Sequence, residues 1–251
     1  MFVRTVGAVC LLLAVTQGWS QMRPSQVELH LWTDFSSAAL SGPDGIEAQR
    51  ISGNRAGNAD VPSGQRVSVN ELRHKVPGKA LAAFTRGIKF ADASDFFQAA
   101  RSFERALKID PEFAAAHGNL GVMYLNLRLF DMGVAEFRRT LQLNPADSFS
   151  HANLALALIL LNQPGQAEPE AQTAVALDSS NMKARYLFGL LLARQPATRG
   201  KAAEQLTYAA QQLPEAHLAL AAMYHQEGSE SLALAEQERY RKAVLSAIQE
   251  P

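Results

Sequence analysis

The chain of 251 residues contains 24 basic and 24 acidic residues, and 47% of its residues are hydrophobic. This composition is typical of a globular protein with a buried core and excludes an intrinsically disordered chain. The zero net charge creates no general attraction to phosphate backbones or anionic lipid, so we expect no nucleic acid partner.

Residues 1–20 have the three zones of a secretory signal peptide. Arg4 supplies an early positive charge, and an apolar run fills residues 6–15. Gly18 and Ser20 are small residues that favour cleavage after position 20. The run has about half of the roughly 20 apolar residues that a membrane-spanning helix needs. We therefore predict a cleaved signal and no stable membrane insertion, with anchoring by an uncleaved signal as the alternative.

The predicted mature chain has no cysteine, because Cys10 lies inside the apolar run of the signal. It therefore has no disulfide, no thiolate metal site and no cysteine nucleophile. No Asn is followed two positions later by Ser or Thr, so there is no glycosylation acceptor of the usual type. Together these features indicate an exported bacterial protein, either periplasmic or secreted.

Residues 21–67 are predicted to form a low-order N-terminal segment. Residues 25–32 alternate apolar and polar side chains with the period of a half-buried strand, although no partner strand is evident. Residues 33–65 are rich in Gly, Pro, Ser and Asn and contain few large apolar residues. Such a stretch cannot bury enough surface to offset the entropy of ordering.

A short helix or linker is predicted over residues 68–77. Ser68 and Glu71 have the spacing of a capping box, in which each side chain satisfies an amide in the first turn. Pro77 disfavours helical backbone in the residue before it.

Beyond Gly78 the sequence repeats with a period of 34 or 35 residues. Pro111 and Pro145 mark this period, followed by Ser179 and, one residue late, by Pro214. Each unit contains a small residue and, three positions later, a bulky one, which predicts a close approach of two helices. These pairs are Gly87 and Phe90, Gly121 and Tyr124, Ala155 and Leu158, and Gly189 and Leu192.

A second pattern with spacings of three and four fills the latter half of each unit, so each unit is predicted to contain two amphipathic helices. The turns between them are expected near Asp95, Phe130, Pro164 and Pro196. Asp110 and Asn144 are expected to cap the helix that follows each of them. Pro169 is expected to delay or kink its helix.

This pattern resembles the tetratricopeptide repeat (TPR), most closely at Leu120, Gly121, Tyr124, Phe137 and Pro145. The resemblance implies an all-α fold, a right-handed superhelical solenoid of helix-turn-helix repeats that follows the largely irregular N-terminal segment. It covers about two thirds of the chain. The implied units are about 78–111, 112–145, 146–180, 181–213 and 214–251.

The resemblance also implies a concave groove lined by the first helix of each unit, apolar in the middle and cationic and aromatic at one end. A peptide with apolar anchors and one acidic group would suit it. The alternatives are that the N-terminal segment folds back into the groove, or that the helices pack on one another. The implied groove residues are Val122, Leu125, Asn126, Leu156, Ile159, Lys183, Tyr186, Leu190 and Arg194.

No motif for catalysis is found. Gly-x-Ser-x-Gly, His-Glu-x-x-His and dinucleotide-type glycine clusters are absent from the sequence. His117, His151 and His217 share one slot of the repeat, where packing is favoured over metal binding because no carboxylate partner is evident. We therefore expect no enzymatic activity, no cofactor, no metal and no small-molecule substrate.

The sequence thus predicts a non-enzymatic scaffold or adaptor that binds a protein or peptide, because such solenoids expose extended surface. One alternative is a structural subunit of an envelope assembly. The other is an enzyme whose site lies in the N-terminal segment.

Overall fold

The computed structural model of the protein describes residues 74–249, which form ten α-helices and no strand. The helices are α1 (Gly78–Asp92), α2 (Phe96–Ile109), α3 (Ala114–Asn126), α4 (Phe130–Leu143), α5 (Ser148–Leu160), α6 (Pro164–Leu177), α7 (Met182–Ala193), α8 (Arg199–Ala209), α9 (Glu215–Gln226) and α10 (Glu230–Gln249). A short 3₁₀ helix, Pro196–Thr198, precedes α8.

Most of the predicted N-terminal features lie outside the described residues. These are the signal peptide over 1–20, the low-order segment over 21–67 and the strand over 25–32. Of the linker predicted over 68–77, only residues 74–77 are described, and they are not helical.

The helices pack in consecutive pairs, α1 with α2 and so on to α9 with α10. The second helix of each pair also packs against the first helix of the next pair, so the pairs stack into one array. The predicted all-α solenoid of helix-turn-helix repeats is confirmed. Each stacked unit can bury an apolar stripe that it could not bury alone.

The turn inside four of the five pairs uses one residue with left-handed backbone. These residues are Ser94, Arg128, Asn162 and Gly228, with φ between 57° and 73°. In the second pair the Arg128 amide donates to the Leu125 carbonyl, and the Leu129 amide donates to the Tyr124 carbonyl. These bonds satisfy carbonyls that the helix end leaves open. The fourth pair instead turns through the 3₁₀ helix.

In three of the five pairs, a glycine on the first helix faces a large side chain on the second. A β-carbon placed on Gly121 would lie 2.7 Å from Cε1 of Phe137, and one placed on Gly189 would lie 2.7 Å from Cγ of Leu206. Real β-carbons essentially never approach this closely, so glycine is required for this contact. The third pair reaches a compact packing differently, with two fully buried alanines, Ala155 and Ala171.

The predicted capping by Asp110 and Asn144 is wrong. Each residue follows the end of a second helix, and its side-chain oxygen accepts from the amide two residues later, 3.2 Å for Glu112 and 3.3 Å for Ala146. The prolines at 111 and 145 therefore lie in a turn, where their fixed φ is favourable. The next helices begin only three residues after these prolines.

The predicted late start of the helix that contains Pro169 is also wrong. α6 begins at Pro164, whose fixed φ suits the first helical position. Pro169 lies inside the helix, where it removes one amide donor.

Candidate functional site

The first helices from α3 to α9 form one continuous layer. α3 contacts α5, α5 contacts α7, and α7 contacts α9 directly, in addition to the second helices between them. Eight of the nine predicted groove residues lie on α3, α5 and α7, and Arg194 follows the end of α7. The array thus places these residues on neighbouring elements, whereas their use in binding remains a prediction.

The predicted groove residues differ in exposure. Arg194 is exposed, and five others are half-buried: Val122, Asn126, Ile159, Lys183 and Leu190. Leu125, Leu156 and Tyr186 are buried, and Tyr186 is only 2% exposed. The buried side chains can support a binding surface from below, but they cannot touch a ligand without moving.

The expectation that the Tyr186 ring is a surface anchor is therefore wrong. α7 packs against both α5 and α9, which leaves its middle covered. Burial raises the pKa of the Tyr186 phenol above its usual range, and the Glu215 carboxylate adds to this effect. Both causes disfavour the charged form.

Lys183 links two first helices. Its Nζ atom donates to Oδ1 of Asn153 at 2.8 Å, which joins α7 to α5. Burial lowers the pKa of Lys183 to about 8, because the charged ammonium is poorly solvated there. Asn153 is itself buried. This pair is a polar contact between two neighbouring first helices.

The three histidines of the shared slot join the two helices of their own units. Nδ1 of His117 lies 2.6 Å from Oε2 of Glu136, and Nε2 lies 3.1 Å from the Pro111 carbonyl oxygen. His151 repeats this arrangement with Glu170 and Pro145, and Nδ1 of His217 lies 2.6 Å from Glu236. We call each histidine and carboxylate pair a clasp.

In the fourth unit an arginine and a glutamine take the place of the clasp. Arg185 occupies the histidine slot, and its Nε donates to the Ser179 carbonyl at 2.6 Å. Its Nη1 donates to Oε1 of Gln205 at 2.8 Å, and the guanidinium lies 4.1 Å from the Tyr208 ring centroid. A planar cation with several donors can replace an imidazole between the same two helices.

The prediction that these histidines have no carboxylate partner is wrong. The partner follows each histidine by 19 residues, at a spacing that recurs in three units. Each carboxylate lies on the second helix of the same unit. Its separation from the histidine is much larger than the three or four residues that bring side chains together on one helix, so helical spacing does not reveal the pair. A search for polar pairs at constant separation would have found it.

This arrangement of helix pairs is also found in known structures. No protein-family model and no curated protein matches the chain. Solved TPR structures do match: YrrB, a TPR protein with an unusual peptide-binding site, is 21% identical, with a TM-score of 0.54 over 68% of this chain and 92% of YrrB. The described repeats have the TPR fold.

Two further solved structures resemble the TPR solenoid. MamA from Desulfovibrio magneticus RS-1 is 18% identical, with a TM-score of 0.61 over 70% of this chain and 100% of that one. PilW, a type IV pilus biogenesis factor, is 24% identical, with a TM-score of 0.60 over 67% of this chain and 79% of that one. At these low identities, the structural likeness shows a shared fold and nothing more.

The described residues contain neither a cluster that could hold a metal ion nor a helix that could span a membrane. Between residues 74 and 249, no group of three or more His, Cys, Asp or Glu side chains is arranged to hold a metal ion. The same stretch contains no helix that is both long enough and apolar enough to cross a membrane.

Replacing Lys183 with Met is expected to make the free energy of unfolding less dependent on pH above pH 7, because a poorly solvated charge is removed. The loss of the donor to buried Asn153 is a cost that does not change with pH. The pKa of Lys183 is about 8 in the folded protein and near 10.5 otherwise. The unfolded chain therefore binds more protons between these values, and the wild-type protein gains stability as pH rises through this window. The stability of the variant relative to the wild type should therefore fall over the same range.

Urea unfolding of both proteins at pH 7, 8, 9 and 10 measures this effect. Lys201→Met, at an exposed position on α8, is the matched control and should follow the wild type at every pH. A constant difference between Lys183→Met and the wild type would contradict the lowered pKa.

Proposed function

We propose that the protein is a non-enzymatic scaffold that binds a protein or peptide along the layer of first helices. The continuity of this layer through α3, α5 and α7 carries the proposal. Val122, Ile159 and Leu190 lie on successive first helices and are half-buried, so each retains surface for a ligand. Solenoids commonly use such extended surfaces for binding.

The ligand that best suits this layer is an extended or helical peptide with apolar anchors and one acidic group. The apolar residues Val122, Ile159 and Leu190 provide the anchor contacts, whereas Lys183 and Arg194 provide positive charge at the α7 end. Apolar anchors supply most of the affinity in such complexes, and a charged pair fixes orientation. The likeness to YrrB, which has a peptide-binding site, supports this choice.

We further propose that the protein is exported and acts in the bacterial envelope or outside the cell, without nucleic acid, small-molecule substrate or cofactor. The signal-like sequence over residues 1–20 supports export. The likeness to PilW, a pilus biogenesis factor, favours a second candidate function, that of a structural subunit in an envelope assembly.

Selection of peptides from a random library by the mature protein tests the binding surface. We expect enriched peptides with spaced apolar residues and an acidic residue. Ile159→Ser and Arg194→Glu should each weaken capture by about tenfold or more, because one removes an anchor contact and the other reverses a charge. Circular dichroism should show unchanged helicity for both variants.

Arg101→Glu is the matched control for charge reversal, since this exposed arginine lies on a second helix, α2. It should leave peptide capture unchanged. The proposal is overturned if no peptide is selected, or if all three variants capture peptides as well as the wild type does. Obligate co-purification with other envelope chains, without peptide selection, would instead favour the structural subunit.

A further inference from the structure

The last helix exposes a position that the first two units bury. Ala100 follows Ala99 on α2, Val134 follows Gly133 on α4, and they are 4% and 7% exposed, since the next first helix packs over them. Leu234 has the same position on α10, immediately after the buried Ala233, and is 62% exposed. No helix follows α10 within the described residues.

α10 is also longer than the second helices before it. It has 20 residues, whereas α2, α4 and α6 have 14 each. Its inner side is fixed by Ala233 and by Glu236, which forms the clasp with His217 on α9. The additional turns therefore extend beyond what pairing with α9 requires.

One stripe of α10 combines apolar and charged side chains at spacings of four, three and four. Leu234 and Leu245 are its ends, at 62% and 44% exposure, and the exposed pair Glu238 and Arg241 lies between them. This spacing is that of the contact seam in a two-stranded coiled coil. Within one chain, Arg241 Nη2 lies 2.9 Å from Glu238 Oε2.

The stripe is complementary to itself in antiparallel orientation. When two copies of α10 are centred midway between positions 238 and 241, each leucine meets the other leucine across the two-fold axis. Each Glu238 then meets Arg241 of the partner subunit. The symmetric pairing therefore contains two leucine contacts and two ion pairs without any unmatched charge on the stripe.

We propose that this stripe is a homodimer interface, in which α10 packs antiparallel against α10 of a second copy of the chain. Because its charges and leucines are complementary to themselves, this face suits a second copy of the same chain. Head-to-tail stacking onto α1 fits less well, because the corresponding face of α1 presents the exposed cations Arg86 and Lys89. That contact would also leave each end open to further addition.

The proposed dimer leaves the layer of first helices uncovered, since α10 is a second helix. It does not depend on the proposed peptide binding, although it would place two binding layers in one particle. A bivalent particle binds a repeated or surface-attached ligand more tightly than a monomer does.

Sedimentation velocity of the full chain tests the dimer. Because one helix pair is a small interface, we expect a reversible dimer at micromolar concentration. Glu238→Arg and Arg241→Glu should each weaken self-association by more than about tenfold, since each places like charges across the axis. Leu234→Glu should give a monomer with unchanged circular dichroism.

Mixing the two charge variants gives the decisive measurement. A subunit carrying Glu238→Arg and a subunit carrying Arg241→Glu have opposite charges along the whole stripe, so their equimolar mixture should form a heterodimer. A contact between positions 238 and 241 within one helix cannot explain a heterodimer, because each variant carries like charges at these two positions. The proposal is overturned if the wild type remains monomeric, if Leu234→Glu still dimerises, or if the mixture remains monomeric.

Discussion

Replacing Gly121 with Leu is expected to lower the free energy of unfolding by at least about 3 kcal/mol, at the upper end of the usual cost of overpacking. Even a single β-carbon would lie 2.7 Å from the Phe137 ring, and Phe137 is fully buried and has no space to withdraw. The larger side chain must therefore separate α3 from α4. Thermal unfolding by circular dichroism measures the loss.

Gly200→Leu is the matched control for this variant. Gly200 lies on α8, and a β-carbon there meets no heavy atom within 4 Å. Leu has a higher helix propensity than Gly, so this variant should be as stable as the wild type or slightly more stable. Equal melting temperatures for Gly121→Leu and Gly200→Leu would contradict the packing described for the second unit.

Replacing Phe137 with Ala is expected to cost about 3 to 5 kcal/mol, because it removes a fully buried ring and leaves a cavity. In the double variant with Gly121→Leu, the new leucine can occupy part of that cavity. The combined loss should therefore be smaller than the sum of the two single losses. Chemical unfolding of the four proteins gives the coupling.

In the third unit the positions equivalent to 121 and 137 are both alanine, Ala155 and Ala171, so a larger residue on the first helix accompanies a smaller one on the second. Phe97→Ala provides the control for ring removal, since Phe97 is exposed at the start of α2 and its loss should change stability little. Strictly additive losses in the double variant would show that residues 121 and 137 do not share one packing site.

The period of the sequence carried enough information to place the helix pairs. The small position of the first helix can be recognised from sequence because it recurs in four units, but the pattern paired Gly121 with Tyr124, whereas the structure places it against Phe137. The start of each first helix was less accessible. Asp110 resembles a helix cap in sequence, yet it accepts from Glu112 inside a turn, since the chain needs three more residues before the next helix.

The chemistry of the first-helix layer was harder to predict, because it depends on helices that are distant in sequence. Tyr186 lies at a nominal groove position but is covered, since α7 has neighbours on both sides. Lys183 could be recognised as a cation, although its contact with Asn153, 30 residues earlier, follows only from the stacking of α5 and α7. The clasps were missed because each joins two helices of one unit at a separation of 19 residues, which helical periodicity does not reveal.

The buried side of α6 consists of alanine alone, so the size of the buried side chains varies along the solenoid. Ala167, Ala171 and Ala174 are the only side chains that α6 buries, whereas α4 and α8 each bury a large one, Phe137 and Leu206. In an array held by nearest-neighbour contacts, the joint with the least apolar burial opens first. A ligand that spans α3 to α7 crosses this part of the array, where α6 contributes only three alanine methyl groups to the buried packing.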